Sequence, residues 1–214
     1  MRYHFDPSTH TYTIDDVKIP SVTQVLPYDY DGLDPFFRER GTAVHRMIYL
    51  HNMGREEEIY TDPNVLPFLD DESTEGYFRS YLCAPKLMYQ NMVLDYKTGG
   101  KHPATDLQVA AYQMLVREGV TEEGVSLWKL ARGGEMILHE THLFCPTYRY
   151  GGTVDYIYLD GQGAIKGMVM YLQKDGTKPK VEEVKDIRKN QQYFLAFLTT
   201  WKWRKEKGIN GTIN

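Results

Sequence analysis

The stretch "VLDYKTGGKHPATDLQVAAYQ", residues 93–113, decides how this chain is read. It begins as a short apolar strand, turns at Gly99-Gly100, and continues as an amphipathic helix. On a strand, residues two apart face the same side, so Asp95 and Lys97 project together while Leu94 and Tyr96 point the other way. The glycines end the strand and leave room for a backbone or a substrate to pass close. On the helix that follows, Gln108 and Tyr112 lie four apart and share a face. An acid and a lysine on a strand, with Gln and Tyr over the same edge, make a compact polar site. Taken alone, Asp95-x-Lys97 is weak evidence for chemistry and reads more readily as an exposed ion pair at a strand end.

Working outward, Asp155 stands in the middle of the apolar, aromatic strand "YGGTVDYIYLDG". Burying an unpaired carboxylate is costly, so this acid needs a partner, and a metal ion is a natural one. "RGTAVHRMIYL" puts His45 on a helix one turn past Gly41, where Thr42 and Ala43 are small enough for close packing on a sheet. By itself His45 reads as a core or surface histidine with one hydrogen bond.

The remaining elements follow from pattern. Tyr12 and Ile14 alternate with Thr11 and Thr13 before a turn at Asp15-Asp16, giving a hairpin whose second arm is Val17 to Ile19. Ser21 caps a short helix carrying Val22, Val25 and Leu26, and a longer helix runs from Asp34-Pro35 to Gly54. Pro63 to Cys83 reads as a helix with the polar "DDESTEG" as a loop within it. Strands are expected at 91–97, 136–145, 152–159 and 168–173, and helices at 106–118 and from about Lys185 to Lys207. The organisation expected is α/β, one domain over 1–214 with a hairpin and helix extension over 1–33.

At 214 residues, 42% hydrophobic and 25% charged, the chain can bury a sizeable core. No apolar run approaches the ~18 residues of a membrane span, and the first residues carry no hydrophobic signal core; a soluble, intracellular protein without a membrane partner is the expectation. The two cysteines, Cys83 and Cys145, are far apart and read as reduced, partly buried thiols rather than a zinc or iron–sulfur site. A net charge of −4 argues against holding nucleic acid by bulk electrostatics, though a bound cation or a local patch can supply positive charge where it is needed. "WKWRKEK" at 201–207 is such a patch, or else the solvated face of a terminal helix.

Together the motifs Gly41-Thr42-x-x-His45, Asp95-x-Lys97, Gln108-x-x-x-Tyr112 and Gly152-x-x-Asp155 resemble the RecB-type branch of the PD-(D/E)xK nuclease superfamily. "HTYTIDDVKIPSVTQVL" is similar to the opening of phage and prophage RecB-like exonucleases, and the resemblance touches about two thirds of the chain. It implies a restriction-endonuclease-like core, a mixed sheet flanked by helices with a divalent metal at one end. Implied metal ligands are His45, Asp95, Asp155 and the Tyr96 carbonyl, with Glu140 matching a further strand acid less closely. Lys97 would position or activate the attacking water, and Gln108 and Tyr112 would hold the lysine and the DNA backbone. Mg²⁺ suits such oxygen ligands, with Mn²⁺ as substitute. The implied function is metal-dependent DNA cleavage, as an exonuclease in phage-type recombination or DNA processing. The setting implied is the cytoplasm of a bacterium or phage-infected host, with DNA, a recombination protein or a second copy as partners. A nuclease-like DNA- or protein-binding module without catalysis, and a plain structural α/β protein, are the alternatives.

One departure bears on the fold. The family order places Gly-x-x-Asp before Asp-x-Lys, whereas here it comes last. Moving the block from about Trp128 to Gly167 to follow Cys83 restores the order, as though two adjacent blocks had been exchanged. The site then depends on whether the strand bearing Asp155 still lies beside the strand bearing Asp95.

Overall fold

The computed structural model describes residues 1–27, 34–85 and 91–209. Two sheets are present. The smaller is an antiparallel meander of β1 (Tyr3–Asp6), β2 (Thr11–Ile14) and β3 (Val17–Ile19). The larger holds β4 (Met92–Lys97), β5 (Met136–Cys145), β6 (Tyr150–Leu159), β7 (Lys166–Tyr171) and β8 (Lys180–Glu183) in the order β5-β6-β4-β7-β8. β4 pairs parallel with β7 and every other pairing is antiparallel, so the five-stranded sheet is mixed. The chain is α/β, as its alternation of periods implied.

Helices cover both faces of this sheet. On one side, Val44 and Ile48 of α2 (Pro35–Asn52) and Tyr77 of α3 (Glu72–Leu82) pack on Leu94, Tyr96, Met170 and Leu172. On the other, Val93, Val154 and Val169 meet Val109 and Leu115 of α4 (Pro103–Glu118), Val22 and Val25 of α1 (Val22–Val25), and Phe194 and Leu198 of a long terminal helix. That helix spans Ile187–Glu206 and is numbered α6, after the single turn α5 (Leu127–Leu130). α4 lies between sheet and α6, which is why Gln108 through Val116 are all buried and its apolar stripe is broad. Among the described residues no helix is long and apolar enough to cross a membrane.

Several expected elements shift for identifiable reasons. Residues 63–83 do not form one helix: Pro67 sits in a short 3₁₀ turn, Leu66–Phe68, and α3 begins afresh when Asp71 accepts the Thr74 amide at 2.7 Å. The polar "DDEST" is therefore a cap, not a loop. α4 starts at Pro103, three residues earlier than expected, with His102 Nδ1 accepting the Ala104 amide. β1 and the charged edge strand β8 (Lys-Val-Glu-Glu) were not anticipated, since neither carries enough apolar alternation to register. Cys83 is exposed rather than partly buried, and Cys145 is buried. The extension expected over 1–33 is described to residue 27; its residues 28–33 lie outside the described residues.

The β5-β6 hairpin comes after α4 in sequence and yet lies on the far edge of β4. The chain manages this by crossing under the start of β4 between Leu159 and Lys166. Asn91, 3% exposed, ties the crossing down: its Oδ1 accepts the Asp160 amide at 2.7 Å, its Nδ2 donates to the Gln162 carbonyl, and its own carbonyl accepts the Lys166 amide at 2.8 Å. Replacing this side chain removes two hydrogen bonds, to the amide of the half-buried Asp160 and to the carbonyl of the exposed Gln162, each contributing about 0.5–1.5 kcal/mol. Asn91→Ala is expected to lower the unfolding free energy by about 2 kcal/mol in urea titration. An unchanged midpoint and slope would show the crossing needs no such tie.

Candidate functional site

β4 and β6 pair through Met92↔Tyr158, Val93↔Ile157 and Leu94↔Tyr156, and there the ladder stops. One step further in the same register, Asp95 would stand opposite Asp155. On the other edge of β6, pairing runs through His139↔Tyr156 and resumes at Thr141↔Val154, skipping Glu140 and Asp155. Asp155 thus has an acid across from it on both sides. Like charges directly opposite are destabilising in a sheet, and both ladders open at this residue.

Into the opening the Asp155 side chain replaces a backbone partner: its Oδ2 accepts the Tyr96 amide at 2.8 Å. A strand residue directs its N–H and C=O toward the same neighbour, so the Tyr96 carbonyl faces the same gap. Glu140 has a φ of 42°, in the left-handed region that a glutamate adopts only at a cost.

The remaining polar groups close around this gap. His45 Nδ1 on α2 lies 3.3 Å from Asp155 Oδ1. Lys97 Nζ lies 2.9 Å from Asp95 Oδ2 and donates to Gln108 Oε1 at 2.9 Å. Gln108 Nε2 donates to Asp95 Oδ1 at 3.2 Å and to the Tyr112 hydroxyl at 2.9 Å. Gln108 therefore serves as a splint, accepting from the lysine and donating to the acid beside it.

Burial and charge divide the acids. Burial raises the Asp95 pKa, and the Lys97 ammonium offsets only part of that. For Asp155 burial also works upward, but the His45 charge and hydrogen bond with the Tyr96 amide outweigh it and hold the carboxyl below its ordinary value. For His45 burial disfavours the imidazolium, and Asp155 and Asp95 reverse the balance and raise its pKa. Burial, then the Asp155 charge, push Glu140 up to about 7.

All eight residues singled out in the sequence, His45, Asp95, Tyr96, Lys97, Gln108, Tyr112, Glu140 and Asp155, line one open cleft of about 790 Å³. Two carboxylates, a third across the hairpin and a carbonyl at an interrupted ladder are the donor types a hard cation takes. Asp95 Oδ2 is buried and makes no hydrogen bond of normal geometry, and it lies 2.9 Å from the Lys97 ammonium. Among the described residues no three His, Cys, Asp or Glu side chains form a group close enough to hold a metal ion. A cation here would draw on the Tyr96 carbonyl and water besides one or two carboxylates, the usual mode of Mg²⁺. His45, expected as a ligand, is paired through Nδ1 with Asp155.

The cleft also holds residues that the sequence motifs did not single out. Arg38, Arg46 and Tyr49 line it from α2, and for Arg38 and Tyr49 the spacing of seven and four from His45, which puts them on its face of the helix, was the available signal. Arg46 is engaged by Asp62 at 2.7 Å, whereas Arg38 is exposed at the mouth. Phe5, His10, His142 and Thr153 line the end nearest the small sheet. No residue of 201–207 lines the cleft; that segment is the end of α6, where Trp201 packs on the core and Lys202 donates to the Tyr148 carbonyl. No protein-family model matches the chain, and no curated protein matches it.

Gly152 brings β6 against α4: a Cβ there would lie 3.0 Å from Tyr112 Cε1 and from Leu115 Cδ1, and 3.1 Å from Val22. Gly152→Ala is expected to cost about 1–3 kcal/mol of stability through overpacking, read from denaturant unfolding. Wild-type stability in this variant would mean that β6 and α4 are not held at this distance.

Proposed function

We propose that this protein is a divalent-metal-dependent deoxyribonuclease with a restriction-endonuclease-like core, a RecB-like member of the PD-(D/E)xK nucleases acting as an exonuclease inside a bacterium or phage-infected host. The observation that carries the reading is the meeting of Asp155 with Asp95 and Lys97 at a double break in the sheet, although Gly-x-x-Asp follows Asp-x-Lys in the chain. The mixed sheet with helices on both faces agrees with such a core.

In this reading Asp95, Asp155 and the Tyr96 carbonyl hold Mg²⁺ or Mn²⁺, with Glu140 as the further acid. When bound, the cation lowers the pKa of a coordinated water and neutralises charge that develops on the scissile phosphate. The protein's own part is orientation. His45 fixes the rotation of the Asp155 carboxylate, and Tyr96 N–H fixes its depth. Gln108, steadied by Tyr112, holds the Lys97 ammonium, which would turn from Asp95 toward the attacking water as a compact point charge. Arg38 at the mouth is placed to take a phosphate of the incoming strand, supplying locally the positive charge that the net charge of −4 lacks.

End-labelled DNA incubated with Mg²⁺ tests this directly. The wild type should degrade a linear duplex or single strand and leave a covalently closed circle intact, chelation should stop it, and Mn²⁺ should restore it. Lys97→Ala and Asp95→Ala should each lower the rate by about 100-fold or more while the folded CD spectrum is kept. Full activity in either variant would end the nuclease reading. DNA and Mn²⁺ binding without any cleavage would favour the non-catalytic module, and cleavage of the closed circle would make the enzyme an endonuclease.

A further inference from the structure

The cleft extends past the carboxylates to a wall that the chemistry above leaves unused. Phe5 of β1, His10 of the β1-β2 turn and His142 of β5 line it together. The Phe5 and His142 rings are stacked, with centroids 3.8 Å apart and planes inclined by 26°. His10 stands edge-on to Phe5 at 5.2 Å and to Tyr12 at 5.7 Å. The orientation of His142 is fixed from behind, since its Nδ1 is hydrogen-bonded to Thr153 Oγ1 at 2.9 Å and Thr153 is bonded in turn to the Tyr12 hydroxyl.

Packing alone accounts for Phe5, which is buried with Tyr12, Ile14 and Phe144 beneath the small sheet. It accounts less fully for His10, which is exposed and meets that core only edge-on at Phe5 and Tyr12. Its φ of 48° is a conformation that non-glycine residues adopt only at a cost. From α2, Phe37, 47% exposed, and Arg38 line the cleft as well. A polar floor bearing acids and a lysine therefore lies between aromatic groups.

The ligand such walls fit is a planar π-system on a charged backbone. Aromatic side chains stack on any nucleobase, because every base has a π-face, and this is how single strands are held without sequence preference. In a duplex both faces of an internal base are covered by its neighbours, so only an unpaired base can use such a wall. We infer that the N-terminal sheet is a base-stacking wall, on which His10, backed by the Phe5–His142 pair, takes an unpaired base so that the strand reaches the carboxylates single-stranded. The choice of DNA as ligand rests on the nuclease reading; the wall itself rests on the ring geometry.

The test uses a single-stranded oligodeoxynucleotide with 2-aminopurine, whose fluorescence falls on stacking, titrated in chelator so that no cleavage intervenes. Against the full wild-type chain, fluorescence should be quenched on binding. His10→Ala should bind the single strand about tenfold more weakly and lose the quench, while its affinity for a blunt duplex stays at the wild-type value. His10→Phe should restore both single-strand readouts. Equal affinity and quench in wild type and His10→Ala, or no single-strand binding by the wild type, would overturn the inference. Mg²⁺-dependent cleavage by the wild type, run in parallel, separates the two ideas. Cleavage with the quench unaffected by His10→Ala removes the wall and keeps the nuclease; a His10-dependent quench without cleavage supports the wall and removes the nuclease.

Discussion

The hydrogen bond from the Tyr96 amide to the Asp155 carboxylate, at 2.8 Å, takes the place of a rung that an unbroken sheet would have made with a backbone carbonyl. The rest of the site depends on that substitution. With Asp95 next in register on one side of Asp155 and Glu140 on the other, a continuous ladder would align three acids across three strands. Repulsion between neighbouring carboxylates and the cost of burying them both oppose that alignment. The strands part, the side chain fills the gap, and the Tyr96 carbonyl is left facing the same opening. His45 and Lys97 offset the charge from opposite sides, so that the fold tolerates a cluster it could not otherwise hold.

The same constraint is indifferent to the order of the strands along the chain. β6 must lie antiparallel beside β4 for Asp155 to reach Tyr96, and that relation does not depend on which strand comes first in sequence. A hairpin preceding β4 could lie there, and so can one that follows α4, provided the chain then crosses the start of β4 to begin β7. Asn91 secures that crossing with its side-chain amide and its own carbonyl. The connection from β6 to β7 passes the start of β4, at the end of the sheet remote from the carboxylates.

Much of this was legible in the residues. Asp95, Lys97, Gln108 and Tyr112 declared themselves by the periods of strand and helix, since local spacing fixes which side chains share a face. The neighbourhood of Asp155 and Asp95 was not legible, because strand pairing is a long-range choice that no local period encodes. Glu140 was placed only weakly, since its left-handed backbone belongs to the broken ladder and not to its own strand pattern. His10 and Phe5 escaped notice for a similar reason: β1 is four residues long with one buried side chain, and its role at the cleft arises only after Tyr12 of the small sheet packs against Gly151 of β6. Residues 63–83 misled because Pro67 and the Asp71 cap divide what hydrophobic spacing alone joins.

We propose that the two opposed breaks in the sheet make a divalent cation site. Crystals of the protein grown with Mn²⁺, measured at a wavelength where manganese scatters anomalously, test it without reference to catalysis. An anomalous peak is expected in the gap between the Asp95 and Asp155 carboxylates and the Tyr96 carbonyl, and none in Asp155→Asn crystals. A gap without a peak at saturating Mn²⁺, with Lys97 still closed on Asp95, would contradict it.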